Sequence, residues 1–129
     1  MVTSAYLDTS AAMKLIVLED ETSALRTWWG GTEATIASSW LLHTELHCAA
    51  GRRPELVTPT SIAAILGAVT LIDITRGDLL AAGTHAPLRS NDAIHLATAL
   101  RIGADELITY DSELAGAARA AGLRVSSPR

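Results

Sequence analysis

Short apolar runs alternate with longer amphipathic runs along the whole chain, and glycine, proline and polar residues separate them. This alternation is the strongest constraint on the fold. The short runs predict strands at residues 4–7, 34–37, 70–74, 106–110 and 123–126. The longer runs predict helices at residues 10–18, 19–30, 39–50, 61–69, 78–84, 91–102 and 112–121. The pattern is typical of an α/β domain, with a mainly parallel sheet of roughly four to five short strands flanked by helices.

The length and composition fit one globular domain. The chain has 129 residues, of which 49% are hydrophobic, which is enough to bury a core and excludes a disordered chain. No apolar run approaches the roughly 18 residues that cross a bilayer, and residues 1–8 lack the basic segment of a secretory signal. The single cysteine, Cys48, fits a reducing compartment and is expected to be a buried, inert thiol. We therefore expect one cytoplasmic domain over residues 1–129, with no membrane contact.

Two acids occupy matching positions after predicted strands. Asp8 follows the first strand, Asp111 follows the strand at residues 106–110, and each precedes a helix. Asp is a common N-cap, so helix capping alone would explain either residue. The carboxyl ends of parallel strands lie at one edge of a sheet, however, and ligands bind at that edge. The matching positions therefore favour a shared site, although capping stays open.

Two further acids lie on predicted helices. Asp92 opens the helix at residues 91–102, where it could serve only to favour the helix dipole. Glu45 lies in the middle of a helix among Leu41, Leu42 and Leu46, away from both ends. A capping role is therefore not available to Glu45, and a solvated helix face is the alternative to a site.

The chemistry of such a cluster points to a metal ion. Four neighbouring carboxylates repel one another, and a divalent cation relieves that repulsion. Ligation by oxygen alone suits Mg²⁺ or Mn²⁺ better than Zn²⁺. Such a centre can orient a phosphate, activate a water and stabilise the leaving oxygen, while Thr9, Ser10 and Thr109 could hydrogen-bond to the carboxylates. Bound cations would also lessen the conflict between nucleic-acid binding and the net charge of −4.

The histidines are expected to lie mostly outside this centre. His43 and His47 are four residues apart and share one helix face. Glu45 lies about 200° around the helix from His43, so the histidine pair and Glu45 cannot serve one metal. We expect the pair at the surface or at an interface. His95 lies three residues after Asp92 on the same face, where a packed structural role is favoured over a role in the site.

Four segments together resemble the PIN domain and, within it, the VapC toxins of bacterial toxin–antitoxin pairs. They are Tyr-Leu-Asp8-Thr-Ser-Ala, the helix that carries Glu45, Ser-Asn-Asp92-Ala-Ile-His-Leu-Ala-Thr-Ala and Glu-Leu-Ile-Thr-Tyr-Asp111-Ser-Glu-Leu. They occur in the family's order and span nearly the whole chain. Asn91 departs from the pattern, in which a more apolar residue precedes Asp92.

The resemblance implies a single PIN-like domain that acts as an Mg²⁺- or Mn²⁺-dependent endoribonuclease. RNA phosphodiester bonds would be hydrolysed by a metal-activated water. Asp8 and Asp92 match the principal metal ligands of the family, and Glu45 and Asp111 complete its acidic quartet. All four are therefore candidate catalytic and metal-binding residues. An RNA substrate, a cognate antitoxin protein and a second copy of the chain in a homodimer are the implied partners.

Two other functions stay open. Asp8 could be the nucleophile of an aspartyl phosphotransferase, but that pattern places a second Asp where this chain has Ser10. A catalytically silent PIN-like module for protein interaction is the alternative from another class.

Two residue pairs also have two readings each. Trp28 or Trp29 could anchor an interface, or both could be buried. Arg52 and Arg53 could contact RNA phosphates or be simply solvated.

Overall fold

The computed structural model describes residues 3–129, which form five strands and seven helices. In chain order the elements are β1 (Ser4–Leu7), α1 (Thr9–Ile16), α2 (Thr22–Gly31), β2 (Thr35–Ser39), α3 (Trp40–Arg52), α4 (Pro59–Ala68), β3 (Thr70–Ile72), α5 (Arg76–Ala82), α6 (Ser90–Arg101), β4 (Glu106–Ile108), α7 (Ser112–Ala120) and β5 (Arg124–Ser126). The predicted α/β alternation is confirmed.

All strand pairs are parallel, and the strands are arranged in the order β3-β2-β1-β4-β5. β1 lies at the centre, with Ala5 paired to Ile36 on one side and to Glu106 on the other. The chain moves outward from β1 to β2 and β3, then returns to place β4 on the opposite side. A crevice forms at the carboxyl ends of β1 and β4, because the connections diverge there.

Both faces of the sheet are buried, as expected for parallel strands covered by helices. On one face Leu7 packs into a core cluster with Leu25 of α2 and Leu46 of α3. On the other face Tyr6 packs with Leu96 of α6 and Leu114 of α7. Side chains of β1 therefore pack alternately into two cores. This packing fixes the end of the strand, where Asp8 lies.

Trp28 and Trp29 are both partly buried against the core cluster that contains Leu25. The structure therefore gives both rings a packing role, and an interface role for either stays a prediction.

The second helix begins later than the acidic run at residues 19–21 predicts. α2 begins at Thr22, and Glu19 and Glu21 instead form ion pairs with Lys14 of α1. The Thr22 hydroxyl donates to the Lys14 carbonyl at 2.6 Å and accepts from the Glu19 backbone N–H. The acids therefore stabilise the connection between α1 and α2 rather than the start of the helix.

Helices α4 and α5 each begin two residues before the predicted position. Thr58 caps α4 in a capping box with Ser61, and a proline occupies the first turn. Thr75 caps α5 in the same way with Asp78. Both helices start as the capping box predicts. The N-cap Thr side chain accepts from the backbone N–H three residues later, and the side chain of that residue accepts from the N-cap backbone N–H.

Strand β4 ends two residues before the predicted boundary at residue 110. The hydrogen bonds of the following residues explain the early end, because the Tyr110 N–H donates to Ser10 Oγ and the Asp111 N–H to Thr109 Oγ1. These backbone donors are used to fix the loop at the sheet edge. The strand hydrogen bonds of β4 therefore end where the crevice begins.

Asp78 is expected to support the fold through its charge. It is buried, accepts from Arg101 Nε at 2.7 Å and from the Thr75 N–H at 3.0 Å. Burial opposes ionisation of Asp78, but Arg101 and Thr75 outweigh it and hold the pKa of this carboxyl below its usual range. We expect Asp78→Asn to lower the free energy of unfolding at pH 7 by about 1–2 kcal/mol, since the Arg101 side chain is partly solvated.

This contribution of Asp78 should depend on pH in one direction. A carboxyl whose pKa is lowered on folding stabilises the protein above its unfolded-state pKa, and the effect is lost as the pH falls through the folded-state value. Urea unfolding should therefore separate the wild type from Asp78→Asn at neutral pH and bring them together in acid. Asp73→Asn, at a nearby exposed acid, is the control, and an equal change in both variants would contradict the prediction.

No helix among residues 3–129 is both long and apolar enough to cross a membrane.

Candidate active site

Asp8 and Asp111 lie at the carboxyl edge of the two central strands, and both are N-caps. Asp8 follows β1 and accepts the Ala11 N–H at 2.9 Å at the start of α1. Asp111 accepts the Leu114 N–H at 2.8 Å at the start of α7. Capping and a shared site are therefore compatible, because a carboxylate that accepts one backbone N–H keeps further acceptor positions.

Asp92 and Glu45 reach the same place from two other helices. Asp92 lies in the first turn of α6, and Glu45 lies in the middle of α3. Both are partly buried. One cleft of about 460 Å³ is lined by all four acids, Asp8, Glu45, Asp92 and Asp111. We call it the acid cleft.

Asp8 is the most enclosed of the four, with 2% of its surface exposed. Thr109 Oγ1 donates to Oδ2 at 2.6 Å, and Ser10 Oγ lies 2.7 Å from Oδ1. Burial raises the pKa of Asp8, and the hydrogen bonds from Thr109, Ala11 and Ser10 oppose part of that rise. The hydroxyls predicted to hydrogen-bond to the carboxylates therefore do so, and they fix the orientation of this one.

The other acids of the cleft disfavour ionisation of Asp92. Burial and the charges of Asp111, Asp8 and Glu45 raise its pKa to about 6, with a smaller opposing effect from His95. Among residues 3–129 no Lys or Arg lies within salt-bridge distance of Asp92. The negative charge at this position is therefore incompletely compensated by the protein.

Glu45 is held by a buried histidine. His95 Nε2 donates to Glu45 Oε1 at 2.7 Å, and Thr9 Oγ1 donates to the same oxygen at 2.6 Å. Burial alone would raise the pKa of Glu45, but the hydrogen bond and charge of His95 and the Thr9 hydroxyl outweigh it and hold the pKa below its usual range. Glu45 therefore enters the cleft as a carboxylate with one oxygen already engaged.

The support for Glu45 extends into the core. His95 is 1% exposed, and the Tyr6 hydroxyl lies 2.7 Å from its Nδ1. His95 is therefore both packed, as predicted, and joined to a site acid. Tyr6 was not predicted in this role. The sequence spacing could have indicated this role, because Tyr6 and Asp8 are two residues apart and their side chains therefore lie on the same side of β1.

Residues 5–120 match the PIN domain as a protein family. The chain belongs to the PIN-domain family. It is 38% identical over 133 residues to ribonuclease VapC35 of Mycobacterium tuberculosis, covering 95% of this chain and 96% of that relative. Ribonuclease VapC46 of the same organism is 37% identical over 127 residues, with the same coverage.

Two solved structures share the PIN fold at low sequence identity. VapC20 of Mycobacterium tuberculosis, described as a Sarcin-Ricin loop cleaving toxin, has a TM-score of 0.76 and 17% identity, covering 96% of this chain and 99% of that chain. VapBC2 from Rickettsia felis, solved with a DNA fragment from its promoter, has a TM-score of 0.74 and 17% identity, covering 98% of this chain and 100% of that chain. Both support the assignment of the fold.

The ligand atoms that this PIN domain offers in the acid cleft are of the chemical type that a hard divalent cation prefers. The four acids supply only carboxylate oxygens, and Asp92 carries a charge that other acids destabilise. In the part of the chain that the structure describes, no group of three His, Cys, Asp or Glu side chains is arranged to hold a metal ion. A cation would therefore have to draw the carboxylates of the acid cleft closer together.

The two histidines of α3 lie apart from the acid cleft, as predicted. His43 and His47 stack with their ring centroids 4.2 Å apart, and His47 Nδ1 lies 2.8 Å from the His43 carbonyl oxygen. Neither lines the acid cleft, whereas Glu45 between them does.

The prediction that Cys48 is buried is wrong, and its inertness stays a prediction. Its side chain is exposed and lines a cleft beside the acid cleft. Cys48 lies three residues after Glu45 and shares its helix face, whereas the buried face of α3 carries Leu42, Leu46 and Ala49.

Asn91 has a structural explanation. It is exposed and lines the acid cleft beside Asp92, so a polar residue suits this position. Glu113, which the sequence places near Asp111, lines a different cleft.

Proposed function

We propose that the chain is a metal-dependent endoribonuclease that acts as the toxin of a toxin–antitoxin pair. The observation that carries this proposal is the acid cleft, in which four carboxylates from four helices converge and Asp92 has its pKa raised by its neighbours. Perturbed acids in a cleft are typical of functional sites. Relatives named as VapC ribonucleases, matched over nearly their full length, support RNA as the substrate.

We infer that all four acids hold the cation, with Asp8 and Asp92 as the principal ligands and Glu45 and Asp111 completing the set. A divalent cation bound there would supply charge neutralisation, phosphate orientation and activation of water. Mg²⁺ is the expected ion and Mn²⁺ a plausible substitute, because both prefer oxygen ligands. The site residues and the identity of the metal are parts of this proposal.

The chain's own residues would prepare the site before RNA binds. Ser10 and Thr109 hold Asp8 in one orientation, and His95 and Thr9 hold one oxygen of Glu45. Preorganised carboxylates reduce the reorganisation that binding of metal and phosphate would otherwise require. Because both of these hydrogen bonds go to Oε1, Glu45 Oε2 would accept a hydrogen bond from the attacking water.

The residue at position 10 argues against the phosphotransferase alternative. That pattern needs a second Asp there, whereas this chain has Ser10, whose hydroxyl donates to Asp8. No described feature favours the catalytically silent interaction module over a nuclease.

The partners follow from this function. A toxic ribonuclease must be restrained, and a cognate antitoxin would do so. A toxin–antitoxin complex from Klebsiella pneumoniae shares the fold. A homodimer, action in the cytoplasm and one nuclease domain over residues 1–129 complete the proposal.

Chelation is the direct test of the proposal. We expect purified protein to cleave RNA in Mg²⁺ or Mn²⁺ and to lose at least about a hundredfold of that rate in EDTA, because the carboxylates alone cannot neutralise the phosphate. Asp8→Asn should show a similar loss in Mg²⁺. Asp20→Asn, at an exposed acid that does not line the cleft, should cleave normally. Undiminished cleavage in EDTA or by Asp8→Asn would overturn the proposal, and no cleavage at all would favour the silent module.

A further inference from the structure

The acid cleft continues into a second cleft on each side. On one side lies a cleft of about 310 Å³, which shares Thr9, Met13, Glu45 and Asn91 with the acid cleft. On the other side lies a cleft of about 390 Å³, which shares Asp111 with it. Each outer cleft adjoins the acid cleft at the residues they share, and we call the three clefts together the trough.

An arginine lies in each outer part of the trough. Arg52, the last residue of α3, lines the first outer cleft, and Arg119, in the last turn of α7, lines the other. Both are exposed, and across residues 3–129 no carboxylate lies within salt-bridge distance of either. Arg53, the immediate neighbour of Arg52, is not among the lining residues. The structure thus separates two arginines that the sequence could not tell apart.

Arg52 and Arg119 lie in the two outer parts of the trough, and the four acids lie between them, where Arg89 also lines the acid cleft. A polymer with one negative charge per unit is complementary to the two ends, and a bound cation would make the acidic middle complementary as well. Tyr110 also lines the cleft of Arg119. Basic grooves with an aromatic side chain are typical of sites for single-stranded nucleic acid.

We propose that the trough holds one single strand of RNA across the acids, with Arg52 and Arg119 binding phosphates on opposite sides of the scissile bond. This proposal rests on the proposed function and adds the path of the substrate. It also accounts for RNA binding by a chain with a net charge of −4, since Arg52 and Arg119 add positive charge at both ends of the path.

The binding test uses Arg52→Ala and Arg119→Ala in an Asp92→Asn background, so that the RNA is not cut. Affinity for a fluorescent, unstructured single-stranded RNA is measured by anisotropy over a range of salt concentrations. Each substitution should weaken binding about three- to tenfold and reduce the slope of log K against log [salt] by about 0.7. The two effects should add in the double variant, because the sites are distant and independent.

The matched controls are Arg53→Ala and Arg124→Ala. Arg53 is adjacent to Arg52, and Arg124 begins β5, at the end of the sheet away from the acids. Both controls remove one exposed positive charge and should leave affinity and salt slope nearly unchanged. Thermal unfolding of every variant checks that the fold is intact.

A kinetic test uses the same substitutions in protein with Asp92 intact. Loss of a phosphate contact away from the reacting atoms should raise KM with little change in kcat. Cleavage by the wild type, with Arg52→Ala and Arg119→Ala indistinguishable from the controls, would overturn the trough and leave the ribonuclease proposal standing. Binding with the expected slopes but without cleavage would do the reverse, and absence of both would overturn both.

Discussion

Asp92→Asn is expected to abolish RNA cleavage and, at the same time, to make the protein more stable at neutral pH. Cleavage should fall on the order of a thousandfold, since a charged ligand of the proposed metal site is removed. Stability should rise by about 1–2 kcal/mol, because burial and the neighbouring acids Asp111 and Asp8 raise the pKa of Asp92 to about 6. Opposite signs for activity and stability would distinguish a functional acid from a structural one.

The gain in stability from Asp92→Asn should appear over a definite pH range. The folded-state pKa is raised from 3.8 to about 6, so the ionised group disfavours folding as the pH rises through that interval, with the full penalty above it. Unfolding free energies of wild type and variant should coincide near pH 4 and diverge by pH 7. Asp20→Asn serves as the control at an exposed acid. A variant no more stable than the wild type at pH 7, or one that still cleaves RNA, would contradict the interpretation.

His95→Leu is expected to have the largest effect on stability among the residues that support the site. The substitution places an apolar side chain of similar size at this position and removes both ring nitrogens, so that Tyr6 Oη and Glu45 Oε1 each lose a contact of 2.7 Å. A buried hydroxyl without a partner costs about 1–3 kcal/mol. We expect a total loss of about 2–4 kcal/mol in urea unfolding, with a fall in cleavage because Glu45 is less firmly held.

A double-mutant cycle can show where that loss arises. Tyr6→Phe removes the hydroxyl alone and should cost about 1 kcal/mol. Combined with His95→Leu, it should cost less than the sum of the single changes, since no unpaired hydroxyl then remains. Strictly additive losses would contradict a functioning Tyr6–His95 hydrogen bond.

The fold was largely predictable because its signal is periodic. Each strand is short and apolar and lies between amphipathic helices, and this order alone indicates a parallel sheet. The boundaries that were wrong depend on side chains acting locally. Thr58 and Thr75 extend α4 and α5 through capping boxes, and the hydroxyls of Ser10 and Thr109 take the backbone donors that would have extended β4.

The positions of the candidate site were only partly predictable. Asp8 and Asp111 could be paired in advance, because both follow strands that end at one edge of the sheet. Glu45 could not be placed by such reasoning, since its approach to Asp92 depends on how α3 packs against β2, α1 and α4. The exposure of Cys48 and the difference between Arg52 and Arg53 follow from that same packing. These positions depend on how α3 is rotated about its own axis, and the local sequence pattern does not specify that rotation.

The double use of Asp8 and Asp111 as helix caps has a consequence for how this chain can change over evolutionary time. Loss of either side chain to Ala would remove about 1 kcal/mol of helix stability in addition to any activity. Asn, Ser and Thr retain the cap without the charge. Descendants that abandon catalysis are therefore expected to carry one of these three residues at positions 8 and 111. Position 92 has no such restriction, because the Asp92 side chain caps no helix and its charge costs stability.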